Sequence, residues 1–340
     1  MVKIELIPES IQLLKMDDSV YFSDTYRDYI SNSKLGLLNP AEGGSYEKFE
    51  KGFNSKYSDS YELGSAIHAI VLQNDLYFVS EIKKPNAKLG VFIDKVFDYR
   101  NKGLTVRDSL DKASIDADYY SGKITSKRIE TIVKESFSYY IQRLKAKEIV
   151  EEKTPIYLSK GLHEKYNKCT MEVLNNPYAV NTLFPDGNVE IFNEYAILCE
   201  IKVTYNGNEH IIKLKGKIDN FHINHDLQEI VLNDLKSSGK PVGYFMGNKV
   251  KGEDGDEYFI EGSYQKYHYF RQMALYGWLI QCALTQLKGL NYSFKSNMVV
   301  VETIPNFKSK VYPVKKKHIE LGLKEFRDLI KLLVEWKEKK

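Results

Sequence analysis

Cysteine is scarce in this chain of 340 residues, which has three. Cys169, Cys199 and Cys282 are odd in number, far apart and without C-x-x-C spacing. That excludes a disulfide framework and a four-cysteine iron–sulfur site. It fits a reducing compartment, the cytoplasm. Excess charge of one sign is also missing. Lys and Arg number 49 against 46 Asp and Glu, a formal net charge of +3. No global basic field marks the chain as a nucleic-acid binder, so any such affinity must come from local patches. Long apolar runs are absent too. None approaches the ~20 residues of a membrane-spanning helix, and Met1-Val2-Lys3-Ile4-Glu5-Leu6 carries no signal-peptide pattern.

The remainder is ordinary globular composition, 43% hydrophobic and 28% charged. It is long enough for one large domain or two modest ones. Tyrosine is abundant, at 25 residues. Many lie beside Lys or Arg, as in Lys266-Tyr267-His268-Tyr269-Phe270-Arg271. Interleaved aromatic and basic groups suit stacking on bases and pairing with phosphates; a Lys/Asn/Tyr-rich coding bias accounts for them equally well. Two candidate basic patches stand out. Lys213, Lys215 and Lys217 alternate along one segment, and Lys315 to Lys317 with Lys337, Lys339 and Lys340 form a basic tail. A solvated surface is the commoner meaning of such runs.

No internal repeat or low-complexity linker is present. Residues 23–57 are polar and read as irregular or short helical pieces. Helical spacing then marks 61–76, 91–99, 105–113, 126–146 and 161–174. Near Asp186-Gly187 the period changes. Segments 189–198 and 200–205 read as strands, followed by a turn at Asn206-Gly207-Asn208. In the strand 210–223, Ile212, Leu214, Gly216 and Ile218 face one way, and Lys213, Lys215, Lys217 and Asp219 the other. A further strand spans 229–236, and 239–256 reads as loop. The acidic run Glu253-Asp254-Gly255-Asp256-Glu257 lacks the twelve-residue calcium-loop pattern and reads as solvated loop. A helix at 266–287, a strand at 299–304 and a helix at 318–337 complete the chain. Helices first, then strands, then a crossover helix to a last strand give an α+β fold with an α/β-type core.

The chemistry concentrates in Gly216-x-x-Asp219 and, fifteen residues later, Asp234-Leu235-Lys236. The strand period of two puts Asp234 and Lys236 on one face, and pairing of the strands would bring Asp219 to it. Two adjacent carboxylates repel unless a cation intervenes. Hard oxygen ligands suit Mg2+ or Mn2+, which also favour phosphate oxygens. Such an ion polarises a phosphodiester and lowers the pKa of a bound water, while Lys236 can orient or deprotonate that water and offset transition-state charge. D-x-K alone is a common chance pattern; its order with other blocks makes it informative.

Four blocks in order resemble the PD-(D/E)XK nuclease superfamily, in particular its exonuclease VIII-like and RecB-like branch. Gly64-Ser65-Ala66-Ile67-His68 resembles the G-x-x-x-H motif. Gly216-Lys217-Ile218-Asp219 resembles G-x-x-D. Asn233-Asp234-Leu235-Lys236-Ser237 resembles the D-x-K-T block, with Ser237 keeping the hydroxyl. Tyr269-Phe270-Arg271-Gln272-Met273-Ala274-Leu275-Tyr276 resembles the Y-x-x-Q-x-x-x-Y helix. The blocks span residues 64–276, and 84–189 carries no motif of the family. No iron–sulfur cysteines accompany them, which favours the exonuclease VIII-like side.

The resemblance implies a restriction-endonuclease-like central mixed sheet flanked by helices, with a large helical N-terminal region. It implies one nuclease domain over 1–340. Within it, 61–76 would be a motif helix on the core, 84–185 a mainly helical insertion, 186–310 the catalytic sheet with its Gln/Tyr helix, and 311–340 a C-terminal helix. His68, Asp219, Asp234 and the Leu235 carbonyl would be metal ligands for Mg2+ or Mn2+, and Lys236 the catalytic lysine. Glu194 is a further candidate ligand, with Glu190 and Glu200 as competitors. Gln272 and Tyr276 share one helix face and, with Arg271, Tyr269, Ser237 and Gly64, would contact DNA or brace the site. His222, His225 and His268 read as surface or structural. The implied activity is a phage-type exodeoxyribonuclease acting on linear double-stranded DNA in recombination. Restriction-type endonuclease and non-catalytic DNA-binding module are the alternatives. DNA is the expected partner, with a recombination or annealing protein and a homo-oligomer as further expectations. No membrane is involved; the compartment would be the cytoplasm, the host's if the protein is viral.

Overall fold

The computed structural model describes residues 2–53, 58–120, 126–146, 153–251 and 257–340, with the side chains of Ser126 and Val250 left aside. The acidic run at 253–256 lies outside these residues. In chain order the first elements are β1 (Lys3–Lys15), α1 (Asp18–Tyr21), α2 (Asn32–Gly36), α3 (Tyr46–Lys51), α4 (Asp59–Leu72) and β2 (Tyr77–Val79). Next come α5 (Ala87–Asn101), α6 (Val106–Asp116), α7 (Ser126–Ala146), β3 (Thr154–Ile156), α8 (Lys160–Asn175) and α9 (Pro177–Leu183). The rest are β4 (Val189–Tyr205), β5 (Asn208–Asn224), β6 (Glu229–Ser238), β7 (Asn248–Lys251), β8 (Glu257–Ile260), α10 (Ser263–Lys266), α11 (Tyr269–Lys288), β9 (Ser293–Glu302), β10 (Ser309–Pro313) and α12 (Lys316–Lys339).

The chain divides into two compact units, Met1–Asn54 with Glu172–Lys340, and Ser55–Met171. The first is built on a six-stranded sheet in the order β1-β4-β5-β6-β9-β10. All its neighbours pair antiparallel except β6 and β9, which are parallel. Helix α11 provides the connection that a parallel pair needs. The fold is thus α+β, a mixed sheet flanked by helices, as the alternation of periods implies.

The hairpin β4–β5 closes at Tyr205↔Asn208. Its two turn residues, Asn206 and Gly207, have φ of 50° and 85°, the left-handed conformations that a two-residue hairpin turn requires. Separate strands at 189–198 and 200–205 are therefore one strand. Residues 248–251 and 257–260 pair as β7–β8, the first of them within the expected loop 239–256. The sheet core gathers Ile197, Cys199, Ile201 and Val203 of β4 with Ile212, Leu214 and Ile218 of β5 against Met273, Leu279 and Ile280 of α11. Helix α12 lies close on α11. A Cβ at Gly322 would stand 2.2 Å from the Phe270 carbonyl oxygen, so only glycine allows that approach.

The second unit holds α4 to α7, residues 160–171 of α8, and the parallel pair β2–β3. Its core packs Phe92, Ile93 and Val96 of α5 against Ala113, Ile132 and Tyr139. Lys84 is buried between Glu62 and Asp94, and Arg143 donates to Asp94 at 2.6 Å. Among the described residues, no helix is long and apolar enough to cross a membrane.

Candidate metal centre

Register and strand geometry place the acids. Counting outwards from the Asn206-Gly207 turn, Glu194 falls opposite Asp219, between the pairs Asn193↔Asn220 and Tyr195↔Ile218. The ladder is interrupted there, and Glu194 has a left-handed φ of 56°. This conformation is costly for a residue with a side chain and concentrates at functional positions. The strand phase also inverts at this point. Ile212, Leu214 and Ile218 of β5 enter the core on even numbers, Phe221 and Ile223 on odd ones. Phe192 and Tyr195, three apart, both pack on the Phe221 ring. The alternation expected through 210–223 therefore holds only as far as Asp219.

Glu194 is 8% exposed, and its carboxylate lies within 4.8 Å of that of Asp219. The two competitors are placed elsewhere. Glu190 pairs with His225 and Lys288, and Glu200 faces Lys213.

The second strand pair ends where the third acid begins. β5 and β6 pair from Asn224↔Glu229 to Asn220↔Asn233 and then separate. Beyond this fork the Leu235 amide donates to Asp219 Oδ2 at 2.9 Å. Asp234 is 1% exposed. Its Oδ2 lies 2.7 Å from Lys236 Nζ, which is 3.8 Å from Asp219. Burial opposes the lysine charge, but Asp234 and Asp219 outweigh it and raise the Lys236 pKa. Gln272 of α11 donates to Asp234 Oδ1 at 2.7 Å. The Tyr269 ring lies under Lys236 Nζ at 5.5 Å, and burial raises the Tyr269 pKa. Tyr276 is buried with a strongly raised pKa for the same reason, and its ring packs over Gly216. Ser237 follows on β6, half-buried.

Sequence reasoning missed one cation here. Lys217 Nζ lies 3.0 Å from Glu194 and also pairs with Asp18. Burial opposes its charge, and Glu194 and Asp18 raise its pKa. Lys215 is buried and donates to the carbonyls of Tyr21 and Tyr26. The lysine row of β5 is thus no free basic patch: two of its three amines are consumed internally.

Arg271 is likewise committed. It is 1% exposed, bonded to Glu42 at 2.6 Å and Glu325 at 2.5 Å, with Asn32 accepting from its Nε. Its guanidinium is held by the protein's own groups, and bracing is one of the two roles that the resemblance implies for it. His268 pairs with Glu325 and His225 with Glu190. His222 is buried on β5 beside Asn233; burial pushes its pKa down to about 4. Gly64 and His68 lie on α4, in the second unit.

The donor set fits a hard divalent cation. Glu194 and Asp219 present carboxylate oxygens within 4.8 Å of each other, and Asp234 adjoins them across Lys236 Nζ, which lies 2.7 Å from Asp234 and 3.8 Å from Asp219. Repulsion among buried carboxylates is relieved by bringing in positive charge, and an all-oxygen set suits Mg2+ or Mn2+ over softer ions.

No family model matches the chain, and no curated protein matches it. Among solved structures, one from Eubacterium rectale, described there as a candidate exonuclease, is similar with 12% identity and a TM-score of 0.45. The similarity covers 93% of this chain and 86% of that one.

Proposed function

We propose that the chain is a metal-dependent deoxyribonuclease acting as an exonuclease on linear double-stranded DNA. The observation that carries this reading is the set of three carboxylates, Glu194, Asp219 and Asp234, gathered with Lys236 at the fork of β5 and β6. Asp219, Asp234 and Glu194 would hold Mg2+ or Mn2+, with the Leu235 carbonyl as a backbone donor. His68 is assigned as a ligand by the resemblance of Gly64-Ser65-Ala66-Ile67-His68 to the G-x-x-x-H motif. Such an ion supplies Lewis-acid polarisation of the phosphate and a nucleophilic water at neutral pH.

The chain's own groups orient the reaction. The Leu235 amide fixes the Asp219 carboxylate, and Gln272 fixes that of Asp234. Lys236 places a positive charge beside both acids, where it can offset charge growing on a phosphoryl oxygen. Tyr276 and Arg271 hold α11 and keep Gln272 in place.

End-labelled linear duplex incubated with Mg2+, Mn2+ or EDTA tests the reading. Wild type should shorten the label with either ion and leave it intact in EDTA. Asp219→Asn and Lys236→Ala should reduce digestion to background while the far-ultraviolet spectrum is unchanged. Digestion at the wild-type rate by either variant would sink the proposal. Cleavage of closed circular DNA would replace the exonuclease by an endonuclease, and metal-independent binding without cleavage by a DNA-binding module. Glu194→Gln should weaken Mn2+ binding, whereas Glu190→Gln and Glu200→Gln should leave it unchanged, as an isothermal titration of each variant would report.

A further inference from the structure

Four asparagines form a continuous side-chain ladder across four strands of the sheet. Asn297 of β9 donates to Asn233 Oδ1 at 2.9 Å, Asn233 of β6 to Asn220 Oδ1 at 2.7 Å, and Asn220 of β5 to Asn193 Oδ1 of β4 at 2.7 Å. The register puts all four in one row: Asn193↔Asn220, Asn220↔Asn233 and Asn233↔Asn297. Asn220 and Asn233 are both 0% exposed. Their second amide hydrogens go to the C-terminal carbonyls of α9, Leu183 at 3.0 Å and Thr182 at 2.7 Å. The row thus ties the sheet to a helix whose last carbonyls lack partners within the helix itself.

A polar row in a buried sheet costs free energy unless every member is satisfied, and a satisfied one specifies a single register. What distinguishes this row is its place in the chain. Asn193 precedes Glu194, Asn220 follows Asp219, and Asn233 precedes Asp234. Each carboxylate of the candidate centre is one residue from an amide of the ladder. The pair Asn220↔Asn233 is also the last rung of the β5–β6 ladder before the fork. Backbone pairing alone could close one residue further on, at Asp219 and Asp234. The amide rung, held by α9, fixes where the strands part.

Resting on the reading of the acids as a metal centre, we propose that Asn220, Asn233 and Asn297 are positioning residues. They set the fork of β5 and β6, and with it the separation of the Asp219 and Asp234 carboxylates that receive the divalent cation. Asn193 anchors the same row beside Glu194. None of the four touches the ion or the substrate.

The test uses the full-length protein and Mn2+ as probe. In Asn220→Leu/Asn233→Leu the central rung is removed as a pair, which also leaves the Leu183 and Thr182 carbonyls without their amide donors. Calorimetric titration should show Mn2+ binding weakened about tenfold or more. In DNA digestion at fixed Mn2+, kcat should fall and recover as Mn2+ is raised, with KM for DNA unchanged. A merely structural lesion would instead lower kcat in proportion to the folded fraction, read by far-ultraviolet circular dichroism at the same Mn2+ concentration. Asn297→Ala is the milder variant, because it leaves both α9 bonds in place. Its metal-free melting temperature should fall by only a few degrees, because Asn233 Oδ1 loses its donor, with Mn2+ binding weakened by a smaller factor, about threefold. If the double variant does not fold, Asn297→Ala decides alone. Wild-type Mn2+ affinity in a folded ladder variant overturns the proposal. Asp219→Asn separates this outcome from failure of the site itself: if it too binds Mn2+ like wild type, the metal centre is wrong; if it loses binding while the ladder variants keep it, only the ladder's role is wrong.

Discussion

Adjacent residues of α11 meet two different acid clusters. Arg271 enters one formed by Glu42 and Glu325, whose carboxylates lie with His268 within 4.8 Å of one another. Gln272 reaches the other, donating to Asp234. The first cluster receives a permanent cation from the protein, and Asn39 donates to both of its carboxylates. It is closed in charge: Arg271 bonds both carboxylates, and His268 faces Glu325. The second receives a neutral amide from the same helix and retains three acids against Lys236 and Lys217. A guanidinium placed among carboxylates makes a scaffold, whereas an amide orients a carboxylate without neutralising it and leaves its charge for an ion. The grouping of acids does not by itself mark a metal centre; the helix residue supplied to each group distinguishes them.

The largest effect should come from exchanging these roles. Arg271→Met removes a buried guanidinium that pairs with the half-buried Glu325 and the exposed Glu42, and should destabilise the fold by about 3 kcal/mol in denaturant titration. Asp234→Asn keeps the acceptor for Gln272 and removes one of three like charges. It should leave metal-free stability nearly unchanged, because relieved repulsion offsets the lost pairing with Lys236. The same variant should lose the rise in melting temperature that Mn2+ gives wild type. If Arg271→Met is harmless and Asp234→Asn unfolds the protein, the contrast between the clusters is reversed.

Acid titration resolves the two regions next. At Glu325 burial favours the neutral acid, but His268 and Arg271 outweigh it and hold its pKa below the usual 4.5. A depressed carboxyl contributes stability above its unfolded pKa and loses it as the pH falls through the folded one. The closed cluster should thus weaken only below about pH 4.5. His222, three residues past Asp219, behaves differently. It is buried neutral, with its pKa lowered from 6.5 to about 4. The unfolded chain takes up its proton first, so stability should fall as the pH drops from 6.5 to about 4, by about 3 kcal/mol at most. His222→Leu should flatten that slope between pH 6.5 and 4, and Arg271→Met the one below it. An unchanged slope in His222→Leu would assign the titration to another group.

The legibility of these features in the sequence follows how local their causes are. Helix α7 depends on its own spacing, and the expected 126–146 matches Ser126–Ala146. Strand β1 was missed because it is an edge strand, interrupted between Ile7 and Gln12, whose partner β4 lies more than half the chain away. β10 is also an edge strand, and its five residues are too few for a period to show. The roles of Arg271 and Lys215 were illegible because their partners, Glu42 and the Tyr21 and Tyr26 carbonyls, lie far off in the chain. Glu194 could have been singled out. The Asn206-Gly207 turn is a local signal, and a two-residue turn fixes the register that sets Glu194, not Glu190 or Glu200, opposite Asp219. Dividing β4 into two strands concealed that count. The asparagine beside each acid was equally visible, but its meaning depended on the same register.

The smallest expected effect concerns Gly216, the first residue of the G-x-x-D block. Its place is explained by close approach, since a Cβ there would stand 3.0 Å from Tyr276 Cε1 and 3.2 Å from Leu279 Cδ1. Tyr276 lies one helical turn beyond Gln272, so pressure on its ring acts on the segment that orients Asp234. Gly216→Ala should cost about 1 kcal/mol of stability, because both neighbours must give by a few tenths of an ångström. It should also lower digestion slightly at limiting Mn2+. Tyr276→Leu removes the ring that the new methyl would meet. The combined Gly216→Ala/Tyr276→Leu variant should therefore be less destabilised than the sum of the two single variants. Strict additivity would show that the ring is not what excludes a side chain, and the glycine would then owe its place to the backbone of β5 rather than to the helix that serves the acids.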